Sequence, residues 1–126
     1  PERITADVRA GMLAPYDNWA NRVAVDQFVR DIPFSLRHPT WQVLERIEAG
    51  LASLTDLPIQ LIWGMKDWCF RPECLARFQR HWPQAVAHPL GDCGHYVVED
   101  AYERIIPLVA NFLQRHPLPN ASTIQA

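Results

Sequence analysis

Residues 62–70 read "IWGMKDWCF" and residues 91–100 read "GDCGHYVVED". Each stretch delivers one group that can hold or move a proton, Asp67 in the first and His95 in the second, a few residues beyond a short apolar run. The run before Asp67, "LPIQLIW" at 57–63, is bounded by Pro58 and Gly64, with Ile59, Leu61 and Ile62 as its core. A strand buried on both faces of a parallel sheet has this continuous apolar character. "QAVAHPL" at 84–90 is a second, weaker strand candidate. Ligands and catalytic groups in open α/β sheets gather beyond the C-terminal ends of the strands. If the two strands are parallel neighbours, their loops share one edge and Asp67 can meet His95. A carboxylate accepting from an imidazole N–H fixes the tautomer and leaves the other ring nitrogen to take a proton. Read alone, Asp67 is equally a turn or N-cap residue, and a histidine after glycine is equally a surface turn residue.

Working outward, helices are expected on both sides of these strands. Residues 1–14 are mildly helical, and "APYDN" at 14–18 breaks the pattern, with Asp17 or Asn18 as the next N-cap. "NWANRVAVDQFVRD" puts Trp19, Val23 and Phe28 on roughly one helical face. Thr40 is the expected cap of a helix through "WQVLERIEAGLASL", weakened at Gly50. Pro72 sits where a helix begins, and Leu75, Phe78 and Trp82 then form one stripe. Asp100 is the expected cap of the last helix, with Pro107 expected to kink it or split off its first turn. Strands alternating with helices argue an α/β layer. Two strands fall short of the roughly four to six of a typical sheet, so the pattern reads as one end of a larger α/β domain with an incomplete sheet.

Composition narrows the function classes. The 126 residues are 48% apolar and 21% charged with a net charge of −2, ordinary for a globular protein. That balance supports neither a nucleic-acid groove nor a membrane-binding face. No apolar run approaches the roughly 18–20 residues that span a bilayer. "PERITADVRA" has neither the basic region nor the apolar core of a secretory leader. Cys69, Cys74 and Cys93 are an odd number in no framework spacing, so a reducing cytoplasm is the expected location. With His81, His88 and His95 they form no C-x2-C or H-x3-H pair, and no metal is expected. Asn120-Ala121-Ser122 fits a glycosylation acceptor without any sign of secretion. Glu45, Arg46, Arg77 and Arg80 read as solvated helix faces.

The two turns also carry a resemblance. "GMKD" at 64–67 resembles the turn bearing the catalytic acid of the haloalkane dehalogenase-like branch of the α/β-hydrolase superfamily, and "GHYVVED" at 94–100 its histidine turn. "APYD" at 14–17 resembles the return from that branch's cap domain. "GMKDWCF" with "GHYVVEDA" is also similar to the β-lactone decarboxylases of olefin biosynthesis. The resemblance covers about residues 12–113. It implies the C-terminal part of an α/β-hydrolase fold: residues 1–16 as the end of the cap, 17–116 as core, and 117–126 as a flexible tail.

It further implies Asp67 and His95 as the acid and histidine of a nucleophile–histidine–acid triad. Trp68, Cys69 and Phe70 would wall an apolar substrate pocket, with Tyr16 and Trp19 at the cap return. Packing beneath the loop is the alternative reading of residues 68–70. No cofactor is implied. The sequence has no G-x-S-x-G elbow, or Asp counterpart, to hold the nucleophile, and no Gly-rich loop for oxyanion donors. The expectation is therefore part of a longer hydrolase, inactive alone, acting when complete on a small apolar substrate. The competing expectation is a non-enzymatic α/β module whose open sheet edge takes up the missing N-terminal part or a second copy.

Overall fold

The computed structural model describes residues 4–117. The expected tail beyond Pro117 and the Asn120 acceptor lie outside the described residues. The chain divides into two compact units between Leu51 and Ala52.

The first unit is helical. Helix α1 (Ala6–Leu13) starts at Thr5, whose side chain accepts from the Val8 N–H at 3.3 Å. Pro15 lies in a 3₁₀ turn, Ala14–Tyr16. Asn18 then accepts from the Asn21 N–H at 3.1 Å, and a second turn, Ala20–Arg22, starts from Trp19 and runs into α2 (Val23–Arg30). Trp19 therefore precedes α2, and both Trp19 and Phe28 are exposed. Helix α3 (Pro39–Gly50) corrects the expected cap: His38, not Thr40, stands at its start, and His38 Nδ1 accepts from the Thr40 N–H at 3.3 Å. The reason is Pro39. Its missing N–H and fixed φ suit the first helical position, which puts the cap at His38, two residues upstream of Thr40. The freed Thr40 hydroxyl donates to Asp31 at 3.1 Å. Gly50 ends α3 instead of interrupting it, and a 3₁₀ turn, Leu51–Leu54, follows.

The second unit carries the sheet. Strands β1 (Gln60–Gly64) and β2 (Val86–Leu90) pair in parallel, from Gln60 opposite Val86 to Gly64 opposite Leu90. Helix α4 (Pro72–His81) joins them, and α5 (Val97–Arg115) closes the unit. Side chains alternate across a strand, so Ile62 and Leu90 share one face. There they pack on Cys93, Ala101 and Ile105 from the β2–α5 loop and α5. Trp63 points to the other face, where its ring lies 5.9 Å from Phe78 of α4, itself stacked on Trp82 at 5.5 Å. The stripe expected on α4 is therefore its packing face, with Leu75 and Trp82 buried. Gln60 adds a polar tie beneath α5, with its amide nitrogen 3.1 Å from His88 Nε2 and 3.4 Å from the Leu108 carbonyl.

The last helix departs from expectation. It begins at Val97 with Asp100 inside its first turn, and it breaks at Ala101 (φ −150°, ψ 33°), not at Pro107. Ala101 is 1% exposed, pressed into the core with Cys93. Burial of that small residue fixes the break where sequence pattern pointed to the proline.

One glycine governs how the loops leave the sheet. Gly64 is buried at the end of β1. A Cβ there would run into the Gly94 carbonyl oxygen and lie 3.0 Å from that of Cys93. The loop after β2 thus crosses directly over the end of β1. The Met65 N–H donates to Leu90 at 3.0 Å and the Lys66 N–H to Cys93 at 2.8 Å, sewing the two loops together. Gly64→Ala is expected to lower stability by about 1–3 kcal/mol, the usual range for overpacking. Gly91→Ala, where a Cβ meets nothing within 4 Å, should leave it nearly unchanged. Urea denaturation of both variants beside the parent checks this; equal midpoints for the two would contradict the crossing.

Candidate active site

Asp67 and His95 emerge from neighbouring strands on the same edge and meet. His95 Nδ1 lies 3.0 Å from Asp67 Oδ2 and 3.1 Å from Oδ1. The Asp67 side chain is 8% exposed and that of His95 30%. The local fold explains why the carboxylate sits still. After Gly64 the chain turns, with the Asp67 N–H donating to the Gly64 carbonyl at 3.2 Å. Oδ1 of Asp67 then accepts from the N–H groups of Cys69 at 2.8 Å and Phe70 at 2.9 Å. An aspartate bonding main-chain groups two or three residues ahead is a standard turn device. The turn reading and the pairing with histidine thus describe the same side chain. Trp63 Nε1 donates to the Phe70 carbonyl at 2.7 Å and ties down the far end of the loop.

These contacts set the protonation. Burial alone pushes the Asp67 carboxyl up, but the Phe70 N–H, His95 and the Cys69 N–H outweigh it and hold the group below its ordinary value. Asp67 is therefore a carboxylate at neutral pH and can only accept. The hydrogen between it and His95 must sit on Nδ1, and in the neutral ring Nε2 keeps its lone pair.

Aromatic rings surround the imidazole. Phe70 stacks on it at 5.5 Å, Trp68 lies tilted at 5.7 Å, and Tyr96 meets it edge-on at 5.4 Å. Trp68, Phe70 and Tyr96 are all exposed. Trp68 and Phe70 thus stand beside the histidine. Cys69 contributes its main-chain N–H to Asp67, and its side chain is exposed. Tyr16 and Trp19 belong to the first unit and are exposed there. Tyr96 was missed in the sequence. Its signal was adjacency: it directly follows His95, where an aromatic ring can reach the imidazole edge.

Cys93, two residues before His95, is a second thiol close by in sequence. It is 1% exposed, and Arg104 donates to its sulfur at 3.0 Å and to Asp92 at 2.8 and 2.9 Å. Burial first, and then the Asp92 charge, push its thiol up. A neutral, buried thiol is a core residue, not a nucleophile. Among the described residues no group of three or more His, Cys, Asp or Glu side chains could hold a metal ion, and no helix is long and apolar enough to cross a membrane. An apolar groove of about 540 Å³ lies toward the start of β1, lined by Leu57, Ile59, Trp82 and Phe112 among others; neither Asp67 nor His95 lines it.

The linkage sign for Asp67 follows from its depressed value. Stability from this carboxylate is fully present above the ordinary aspartate range and is lost as pH falls through the lower, folded-state value. Urea midpoints of the parent and Asp67→Asn should therefore differ by a constant amount near neutral pH and converge in acid. A gap that widened on acidification would contradict the assignment.

Comparison with known proteins places the geometry in context. No family model matches the chain. It is 43% identical over 116 residues to a cis-3-alkyl-4-alkyloxetan-2-one decarboxylase of Xanthomonas campestris, covering 92% of this chain and 39% of that protein. It is 34% identical over 106 residues to a protein of the same name from Shewanella oneidensis, covering 84% of this chain and 33% of the other. A haloalkane dehalogenase of Mycobacterium bovis is 42% identical over 55 residues, 43% of this chain and 19% of the relative. The chain thus spans about two fifths or less of the relatives it matches. With its parallel β–α–β–α unit, the chain is a C-terminal part of an α/β-hydrolase fold, similar to these enzymes of the haloalkane dehalogenase-like branch.

Proposed function

We propose that this chain supplies the acid and histidine of a nucleophile–histidine–acid triad, with the nucleophile carried by a part of the enzyme outside this sequence. The carrying observation is the Asp67 carboxylate within 3.0 Å of His95 Nδ1, at the shared edge of two parallel strands. Asp67 orients the ring and stabilises the imidazolium; His95 Nε2 takes and returns the proton. In a hydrolysis with an Asp nucleophile, His95 activates the water that cleaves the covalent ester, and with a Ser nucleophile it deprotonates the hydroxyl; a decarboxylation consumes no water and leaves His95 only a proton to take and return. Neither route calls for a cofactor. Without the nucleophile the chain is inactive.

The substrate class favoured is a dialkyl oxetan-2-one, which is a β-lactone. Two relatives bearing that name match 92% and 84% of this chain, against 43% for the dehalogenase. Loss of CO₂ from such a ring leaves an alkene and accounts for every atom of the lactone, so any proton that His95 accepts must be returned within the cycle. Trp68, Phe70 and Tyr96 present apolar faces beside the histidine, a surface suited to alkyl arms.

The open edge of β1 supports a complementary reading of how the chain is completed. Among the described residues β1 pairs only with β2. Its other edge leaves backbone groups able to take a further strand, from the missing part of the enzyme or from a second copy.

In the full-length protein, His95→Ala is expected to abolish turnover of a cis-3,4-dialkyloxetan-2-one while leaving expression intact. Asp67→Asn should cost about 10⁴-fold, because the amide forces the wrong imidazole tautomer. Assays of the parent on oxetanone, ester, epoxide and haloalkane substrates set the class. Undiminished turnover by His95→Ala would remove the catalytic assignment.

A further inference from the structure

One residue grips the chain on both sides of His95. The Asp100 carboxylate accepts from the Gly94 N–H at 2.7 Å, one residue before the histidine. The Asp100 N–H donates to the Tyr96 carbonyl at 2.9 Å, one residue after it. This is not an ordinary helix cap, whose side chain accepts from N–H groups two or three residues ahead. Here the carboxylate reaches six residues back, and a carboxylate bound to a main-chain N–H is among the stronger hydrogen bonds. The helix breaks directly after it, at Ala101, whose burial against Cys93 and Ile105 holds Asp100 in place. The same peptide is held on its other side as well, since the Cys93 carbonyl accepts from the Lys66 N–H at 2.8 Å. Both polar groups of the Cys93–Gly94 peptide are thus constrained, and His95 follows directly.

We propose that Asp100 is a positioning residue that sets the His95 imidazole against Asp67 by holding Gly94 and Tyr96. Without its acceptor oxygen the Gly94–Tyr96 segment relaxes and the Nδ1–Asp67 hydrogen bond is lost, although Asp100 touches neither ring. The inference rests on the triad reading only for its effect on turnover; the geometric effect stands apart from it.

The test uses the full-length protein with ¹⁵N-labelled histidine. Asp100→Asn keeps an acceptor oxygen, and Asp100→Leu keeps the bulk but removes the acceptor. Asp100→Leu is expected to lose the His95 Nδ1–H resonance of the carboxylate-bonded tautomer and to slow turnover of a cis-3,4-dialkyloxetan-2-one by about 10²-fold, the scale of a misplaced catalytic group. KM should change little, and Asp100→Asn should restore both signals. A folded Asp100→Leu with the parent's tautomer signal and turnover overturns the proposal. Should that variant not fold, amide exchange of the parent decides. A slowly exchanging Gly94 N–H supports the grip, and exchange at open-loop rates overturns it. If His95→Ala keeps its activity while Asp100→Leu still loses the tautomer signal, the triad reading fails and the positioning role stands. If His95→Ala is dead and Asp100→Leu keeps the signal, the positioning role alone fails.

Discussion

Parallel pairing of β1 with β2, flush at Gly64 and Leu90, is the constraint on which the site depends. Two parallel strands that end level must send both following loops off the same edge. Gly64 then allows the second loop to cross over the end of the first strand, and main-chain bonds from Met65 and Lys66 hold the crossing. Within that frame Asp67 and His95 come within reach of one another. The lone acid beyond an apolar strand is explained by geometry: it is buried because the loop folds over it, and charged because two N–H groups and an imidazole face it.

On the proposed triad reading the site is half a machine: it holds a carboxylate and an imidazole, while the Cys93 thiol is sealed in the core beside Arg104 and Asp92. The unit's apolar surface tells a similar story. Its core is small, while Val86, Ile106, Val109 and Leu113 remain exposed. With β1 open on one edge and the chain matching 39% of a longer relative, these features are consistent with a sheet that continues in a complete enzyme.

Much of this was legible in the sequence where local pattern decides. The apolar run between Pro58 and Gly64 gave β1 to within a few residues, and the order strand, helix, strand, helix gave the parallel crossover. Asp67 and His95 were legible because each follows a strand and because their turns resemble those of one superfamily branch. Other features were not legible, because they depend on neighbours distant in the chain. That Gly64 must be glycine is set by a carbonyl 30 residues on. The break at Ala101 is set by burial against Cys93, whereas Pro107 looked the stronger breaker and is accommodated within α5. Asp100 looked like a helix cap because aspartate before a helical stripe commonly is one. Its backward reach to Gly94 appears only once the turn is folded. The His38 cap was missed although Pro39 signalled it, because histidine is not among the usual capping residues.

The most direct test is a crystal structure of the full-length protein, read at His95 Nε2. The account predicts an Asp or Ser side-chain oxygen from a strand-to-helix turn of the remaining chain, within or close to hydrogen-bond reach of about 2.6–3.2 Å of Nε2, while Nδ1 stays on Asp67. A structure in which Nε2 faces only structural groups, or in which Asp67 and His95 have separated, would contradict it.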